Sequence, residues 1–266
     1  MNSYFEYTDQ LGNIIKLPLK PQRIISLVPS QTELLFDLGL DEEVIGITKF
    51  CIHPNKWFIS KPRVGGTKNI NIEKIKSLQP DLIIANKEEN VKEQIEALQE
   101  FAPVWTSDVN NLDEALKMIQ SVGEMVDKAE KSRSIINNIK RGFELARPFN
   151  TELTAAYLIW KEPYMTVGRD TFINDMLQRV GLKNAFSGYT RYPEISLEEI
   201  ASSQCEVVML SSEPYPFKEK HISELQSFLP NKKIILVDGE MFSWYGSRLQ
   251  YAPRYFLQLR DKINEL

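Results

Sequence analysis

Cysteine and histidine are nearly missing from this chain, with two of each in 266 residues. Cys51 and Cys205 are too few for a disulfide framework, and the setting of Cys205 suits a small filler at a strand entrance. A closed zinc site needs four ligands, yet beyond Cys51 and His53 in "FCIHP" there is no Cys/His cluster. No apolar run approaches the ~20 residues of a bilayer-spanning helix. A basic surplus is also absent: the formal net charge is −4, which argues against nucleic acid as a partner. Neither GxxxxGK(S/T) nor GxGxxG spacing occurs, so no phosphate cradle is indicated. The opening "MNSYFEYTDQLGNIIKLPLK" lacks a basic segment followed by an apolar one. The expected location is therefore cytoplasmic if Met1 is the native start, and periplasmic or membrane-anchored if a leader has been removed.

Against these absences, apolar residues make up 42% of the chain and charged residues 26%, ordinary values for a soluble globular protein. The length suits two modest domains better than one core. One pattern explains the doubling. "NINIEKIKSLQPDLIIAN" (69–86) and "EISLEEIASSQCEVVMLS" (194–211) agree in kind when the first is shifted by 125 positions. Ile72 then meets Leu197, Glu73 meets Glu198, Ile75 meets Ile200, Ser77 meets Ser202, and Asp81 meets Glu206. Pro80 falls opposite Cys205.

The turn formers of "TDQLGN" predict a hairpin over 4–19. "RIISLVP" (23–29) reads as a strand ended by Pro29. Ser30 or Thr32 is then expected to cap a helix that Gly39 stops. Strands are predicted in "EVIGIT" (43–48), "DLIIAN" (81–86) and "PVWTSD" (103–108), with helices between them. From 112 to 147 the pattern is helical, and Asp127 with Glu130 resembles a capping pair. The stretch therefore splits, with its second helix at about 128–147, a rod of roughly 30 Å. The scheme then recurs: strand 154–160, a helix ended by Gly181, the repeated helix and strand, strand 233–238, and a terminal helix over 250–266. Alternating βα units imply mostly parallel sheets flanked by helices.

Ligands of open α/β sheets bind outside the carboxyl ends of the strands, and two such lobes face to face would enclose a cleft. The loops expected at those ends are rich in rings and cations. Phe50, Trp160, Tyr164, Tyr189, Tyr192, Phe242, Trp244 and Tyr245 stand there with Lys49, Arg169, Arg191 and Arg248. Aromatic faces with a few cations suit a large, flat, partly anionic ligand.

In order, and over nearly the whole chain, "RIISLVPSQTELLFDLG", "NIEKIKSLQPDLIIA", "YMTVGRDTFINDMLQRVG" and "ISLEEIASSQCEVVMLS" resemble the periplasmic-type substrate-binding proteins of ABC importers for cobalamin and iron-siderophores. The resemblance implies an α/β fold of two Rossmann-like lobes, 1–126 and 149–266, bridged by a single long helix within 127–148. It implies capture of a large metal-containing small molecule (a cobalamin or other corrinoid, a ferric siderophore or haem) with no intrinsic cofactor. It also implies an ABC transporter permease as partner, docked through Glu73 and Glu198, one acid per lobe. Phe50 and Tyr192 fall where a cobalamin-binding relative carries rings, Thr67 and Asn86 where it carries tryptophans, and Met165 where it carries phenylalanine. Trp244 and Tyr245 lie in a loop that supplies cleft aromatics in the family. Trp160 and Tyr164 add stacking surface, and Arg191 and Arg248 are expected to neutralise acidic substituents. The changes at 67, 86 and 165 point away from cobalamin itself and leave other corrinoids, haem and siderophores open.

Other readings remain beside this one. His53 is a candidate axial contact to a metal carried in a ligand, and His221 in "FKEKHISELQ" reads as a surface helix start. Cys51 with His53 is the one nucleophile–base pairing on offer, and its spacing implies no hydrogen-bond geometry. The chain is therefore not expected to be an enzyme. A monomer is expected, because a rigid cleft needs no second subunit. The alternative is a cytoplasmic corrinoid- or metal-chelate-binding protein without a transporter.

Overall fold

A computed structural model of the chain describes residues 4–18, 20–146 and 153–265. The chain divides into two compact units. The first holds residues 1–109, 113–138 and 245–248, and the second holds 110–112, 139–244 and 249–266.

The first unit opens with an antiparallel hairpin of β1 (Tyr4–Thr8) and β2 (Ile14–Pro18). Asp9 builds its turn: its carboxylate accepts from the backbone N–H groups of Leu11 and Asn13. Gly12 takes the left-handed φ of +89° that the turn requires. Leu19, the last residue of the expected hairpin, lies outside the described residues. Next come β3 (Ile24–Ser26), α1 (Pro29–Asp37), β4 (Val44–Ile47), α2 (Asn55–Ser60), α3 (Ile72–Ser77), β5 (Leu82–Asn86), α4 (Lys92–Gln99), β6 (Val104–Ser107) and α5 (Leu112–Met125). The four strands β3–β6 are parallel and ordered β4-β3-β5-β6. Helix α6 (Ala129–Leu145) begins in this unit and ends in the second. At 17 residues it is about 25 Å long. The expected end of that helix, at 147–148, lies outside the described residues.

The second unit contains β7 (Thr154–Leu158), α7 (Phe172–Val180), β8 (Lys183–Asn184), α8 (Leu197–Ser202), β9 (Val207–Ser211), α9 (Glu219–Phe228), β10 (Lys233–Val237), α10 (Glu240–Ser243) and α11 (Ala252–Glu265). A 3-10 turn, Ser247–Gln250, precedes the last helix. Its sheet is also parallel, ordered β10-β9-β7-β8. In both units the first strand lies between the second and the third, so each has one topological switch point: β3/β5 in the first and β7/β9 in the second.

The 125-residue repeat holds down to single hydrogen bonds. Helices α3 and α8 have corresponding bounds, as do β5 and β9. Asn71 caps α3 by accepting from Lys74 N–H at 2.9 Å, and Ser196 caps α8 by accepting from Glu199 N–H at 3.1 Å. Ile75 and Ile200 point into the two cores and are fully buried, each worth about 2 kcal/mol of burial. The acid before each strand clamps the start of the neighbouring one. Asp81 accepts from Gln22 and Arg23 N–H, both at 2.8 Å, and Glu206 accepts from Thr154 N–H at 3.1 Å. A cation closes each helix end: Arg23 donates to the carbonyls of Leu78 and Gln79, and Lys232 to those of Ser203 and Cys205.

Three local expectations change. Strand β3 is only three residues long, and α1 starts at Pro29 with Val28 as its N-cap and no side-chain cap. Proline at the first helical position loses no bond there, so the helix absorbs the end of the expected strand. Thr32 is inside that helix, with its hydroxyl turned back on the Val28 carbonyl. Asp127 does not open α6 as a cap; it takes a left-handed φ of +56° at the break after α5. Three elements had no readable signal: α2, the four-residue α10 where a loop was expected, and the two-residue β8. The last is held by Asn184, whose side chain binds Val167 O, Asn174 Oδ1 and Phe186 N.

Candidate functional site

The switch point of the second unit lies at the carboxyl ends of β7 and β9, and aromatic rings meet there. Trp160 stands two residues beyond β7 and is 40% exposed. Its indole packs edge-on against Tyr215, four residues beyond β9, with centroids 5.7 Å apart. The backbone ties the two loops together through Tyr215 N–H to Ile159 O at 3.3 Å. Behind Tyr215 lie Phe217 at 4.7 Å and His221 at 5.6 Å. Lys161, next to Trp160, pairs with Glu224 of α9 at 2.5 Å.

A strap of residues 189–194 runs along the loop after β7. Tyr164 O accepts from Ile195 N–H, Thr166 N–H donates to Pro193 O, Gly168 N–H to Arg191 O at 2.7 Å, and Arg169 N–H to Tyr189 O. Met165 bridges both Trp160 and Glu194. The close approach requires glycine: a Cβ on Gly168 would lie 2.6 Å from Tyr189 O. The strap carries Arg191, whose N–H donates to Asp170 Oδ1 at 2.6 Å and whose guanidinium lies over the Tyr192 ring at 5.6 Å. Arg191 has a left-handed φ of +57°, unfavourable for a side chain of that size. Tyr164, Met165 and Tyr192 are half-buried, and Arg191 and Tyr189 are exposed.

In the first unit, Phe50 follows β4 and is 50% exposed. It rests on Gly66, where a Cβ would meet its ring at 3.2 Å, and Lys49 Nζ lies 5.1 Å from its centroid. At the β3/β5 switch point a buried amide network closes the strand ends. Asn86 Nδ2 donates to both Ser107 O and Ser107 Oγ, and Asn86 Oδ1 accepts from Glu88 and Glu89 N–H. Gln31 Nε2 donates to Ser107 Oγ at 2.6 Å, and Asn90 Nδ2 to Thr67 O at 3.0 Å. Glu89 follows in this loop, its carboxyl held above the usual carboxylate range by burial, with Lys68 opposing.

The sequence profile described as "Periplasmic binding protein" matches residues 24–233, most of the chain and every strand of the two parallel sheets up to the start of β10. The chain belongs to the periplasmic binding protein family. Among its curated relatives is an uncharacterized ABC transporter substrate-binding lipoprotein, YvrC, of Bacillus subtilis (strain 168). The two are 28% identical over 204 residues, covering 72% of this chain and 64% of the relative, just under two thirds of its length. A vitamin B12-binding protein of Vibrio campbellii is 29% identical over 195 residues, covering 71% and 70%. The fold matches the periplasmic heme-binding protein RhuT from Roseiflexus at a TM-score of 0.76 and 21% identity, over 89% and 98% of the two chains.

For a periplasmic binding protein, several expected ligand contacts are committed to the fold itself. Asn86 is 2% exposed, and its amide has all its donors and acceptors in use. Thr67 is buried beside it, its carbonyl holding Asn90. Trp244 is buried with its indole N–H on Glu213 Oε1 at 2.9 Å, and Tyr245 is buried as well. Arg248 is spoken for by Glu33. These five residues are buried or held by protein partners. Phe50, Trp160, Tyr164, Met165, Tyr192 and Arg191 remain on exposed or half-buried rims.

The Cys51–His53 pairing also dissolves. Cys51 is fully buried between the hydroxyls of Thr32 at 3.0 Å and Thr48 at 3.1 Å, and burial pushes its thiol up from 9.0. His53 is half-buried near Glu33, whose carboxyl is raised by burial with Arg248 chiefly opposing. Among the described residues no group of three or more His, Cys, Asp and Glu is arranged to hold a metal ion, and no helix is long and apolar enough to cross a membrane. The sequence reading missed Tyr215, Phe217 and His221. The signal was present in "EPYPFKEKH", a proline-flanked pair of rings directly after β9.

Proposed function

We propose that this chain is the substrate-capturing component of an ABC importer, and that it carries a large metal-containing small molecule, a corrinoid, haem or a ferric siderophore, without chemical turnover. The observation that carries the reading is the pair of exposed rings, Phe50 and Trp160, each just beyond a strand end of a parallel sheet. Such positions face ligands in open α/β folds. Aromatic faces bind planar or greasy chelates by contact area, while Arg191 meets an acidic substituent. Support also comes from the relatives, one described as a transporter lipoprotein and one as a vitamin B12-binding protein.

Glu73 and Glu198 are the docking acids in this reading. Both sit at the second position of equivalent helices, and both are exposed. A carboxylate at the same place on each unit matches a two-fold cationic partner by orientation and on-rate. Secretion or anchoring of the mature protein follows from the same role.

The test adds cyanocobalamin, haemin and ferrichrome separately to the purified protein and follows absorbance and native mass. One of them should bind, and Phe50→Ala or Trp160→Ala should weaken that complex at least tenfold. Glu73→Ala with Glu198→Ala should leave binding intact and abolish uptake by cells carrying the cognate permease. No complex with any of the three would refute the ligand class.

A further inference from the structure

Behind Trp160 is a histidine that ligand contact does not use. His221, the third residue of α9, is 3% exposed. Its Nδ1 accepts from Lys218 N–H at 2.8 Å, capping the helix from inside. With Nδ1 an acceptor, the neutral ring carries its proton on Nε2, which faces Tyr215 Oη at 3.5 Å. The ring also packs, tilted, against Tyr215 and near-perpendicular to Phe217, with centroids at 5.6 Å and 5.5 Å. Tyr215 in turn supports the edge of Trp160. A continuous set of contacts therefore runs from the first turn of α9 to an exposed ring at the switch point.

We propose that His221 is a positioning residue for Trp160: the neutral imidazole holds Tyr215 beneath the indole, and protonation releases both. Protonated Nδ1 can no longer accept, so it would face Lys218 N–H donor to donor. The first turn of α9 then loses its cap, and Tyr215 loses the surface that orients it. The charged groups around the ring are Glu224 and Lys220 on α9 and Lys161 on the loop after β7. Burial acts most strongly and disfavours the imidazolium; Glu224 favours it, while Lys161 and Lys220 oppose it. Glu224 is lowered and Lys161 raised, each chiefly by its hydrogen bond to the other, so that pair stays charged while His221 titrates. The consequence for ligand rests on the reading of Trp160 as a ligand-facing ring: affinity falls as the medium turns acidic.

The experiment uses the whole chain labelled with 5-fluorotryptophan. Its four indole resonances are followed by fluorine NMR from pH 7.5 to 5, and Trp160 is assigned by its loss in Trp160→Phe. The Trp160 resonance should shift in one step below pH 6.5, while those of Trp57 and Trp105 in the first unit stay in place. His221→Gln, whose amide can accept from Lys218 and donate to Tyr215 without titrating, should abolish the step. Tyr215→Phe, which keeps the ring, should reduce it. A flat Trp160 resonance, or a step that survives His221→Gln, overturns the proposal. In parallel, whichever of cyanocobalamin, haemin and ferrichrome binds should do so at least threefold more weakly at pH 5.5 than at pH 7.5, and equally at both in His221→Gln. A His221-dependent step with unchanged affinity upholds the positioning role and refutes Trp160 as a ligand contact instead.

Discussion

Arg248 forks onto Glu33 from 215 residues away. Nε donates to Oε2 at 2.9 Å and Nη2 to Oε1 at 2.6 Å, with both side chains largely buried. The pair fastens residues 245–248 onto helix α1 of the first unit. Gly246 allows the approach, since a Cβ there would lie 2.3 Å from Ser30 O.

Breaking one side of a buried ion pair strands the other charge and costs about 3–5 kcal/mol. Arg248→Met should therefore destabilise the first unit by roughly that amount in urea unfolding. Glu33→Gln with Arg248→Met, which leaves no buried charge, should recover most of the loss. Equal destabilisation in the single and double variants would contradict the assignment.

Asn86 closes the ends of β5 and β6 through its side-chain amide. Asn86→Leu takes the acceptor from the N–H groups of Glu88 and Glu89, while Ser107 keeps Gln31 on its Oγ and the Lys87 N–H on its carbonyl. At about 1–3 kcal/mol for each buried unsatisfied group, a loss of several kcal/mol is expected. Amide exchange should accelerate across 86–90 first.

Gly168→Ala places a methyl group against backbone, which cannot swing away. An overpacking cost of about 1–3 kcal/mol is expected. Melting should shift modestly, while exchange at the Thr166 and Arg169 N–H groups, which donate to the strap, rises sharply because the strap lifts.

The pH dependence of stability follows from His221. Burial lowers its pKa from 6.5. As pH falls below 6.5 the unfolded chain takes up the proton first, so stability is fully present above 6.5 and drops as pH falls through the lowered folded value. The slope contributed by one such group is at most about 1.4 kcal/mol per pH unit. Thermal melts at pH 7.5 and 5.5 should separate in the native chain and draw together in His221→Gln.

Both thiols are buried, and Cys51 is made less acidic by its surroundings. A colorimetric disulfide reagent should find neither in the native state and both in urea. Rapid labelling of Cys51 at neutral pH would contradict its burial.

Much of this architecture was readable from short stretches. The doubled helix and strand could be aligned because caps, core positions and strand-entry acids all act within a few residues of one another. Glu73 and Glu198, Asn71 and Ser196, Ile75 and Ile200 occupy equivalent places for that reason. Phe50 and Trp160 could be placed at strand ends because the apolar runs of β4 and β7 stop just before them.

Composition and spacing alone determined that the chain builds two parallel α/β units linked through a helix, since amphipathic period, turn residues and proline position act locally. Only packing decided which rings stay on the rim and which are withdrawn into protein. Arg248 looked like a free cation until the chain brought Glu33 to it, and His221 looked like a surface residue until Tyr215 and Phe217 closed over it. Such partners are chosen by distance in space, and nothing in the neighbouring residues records who will arrive.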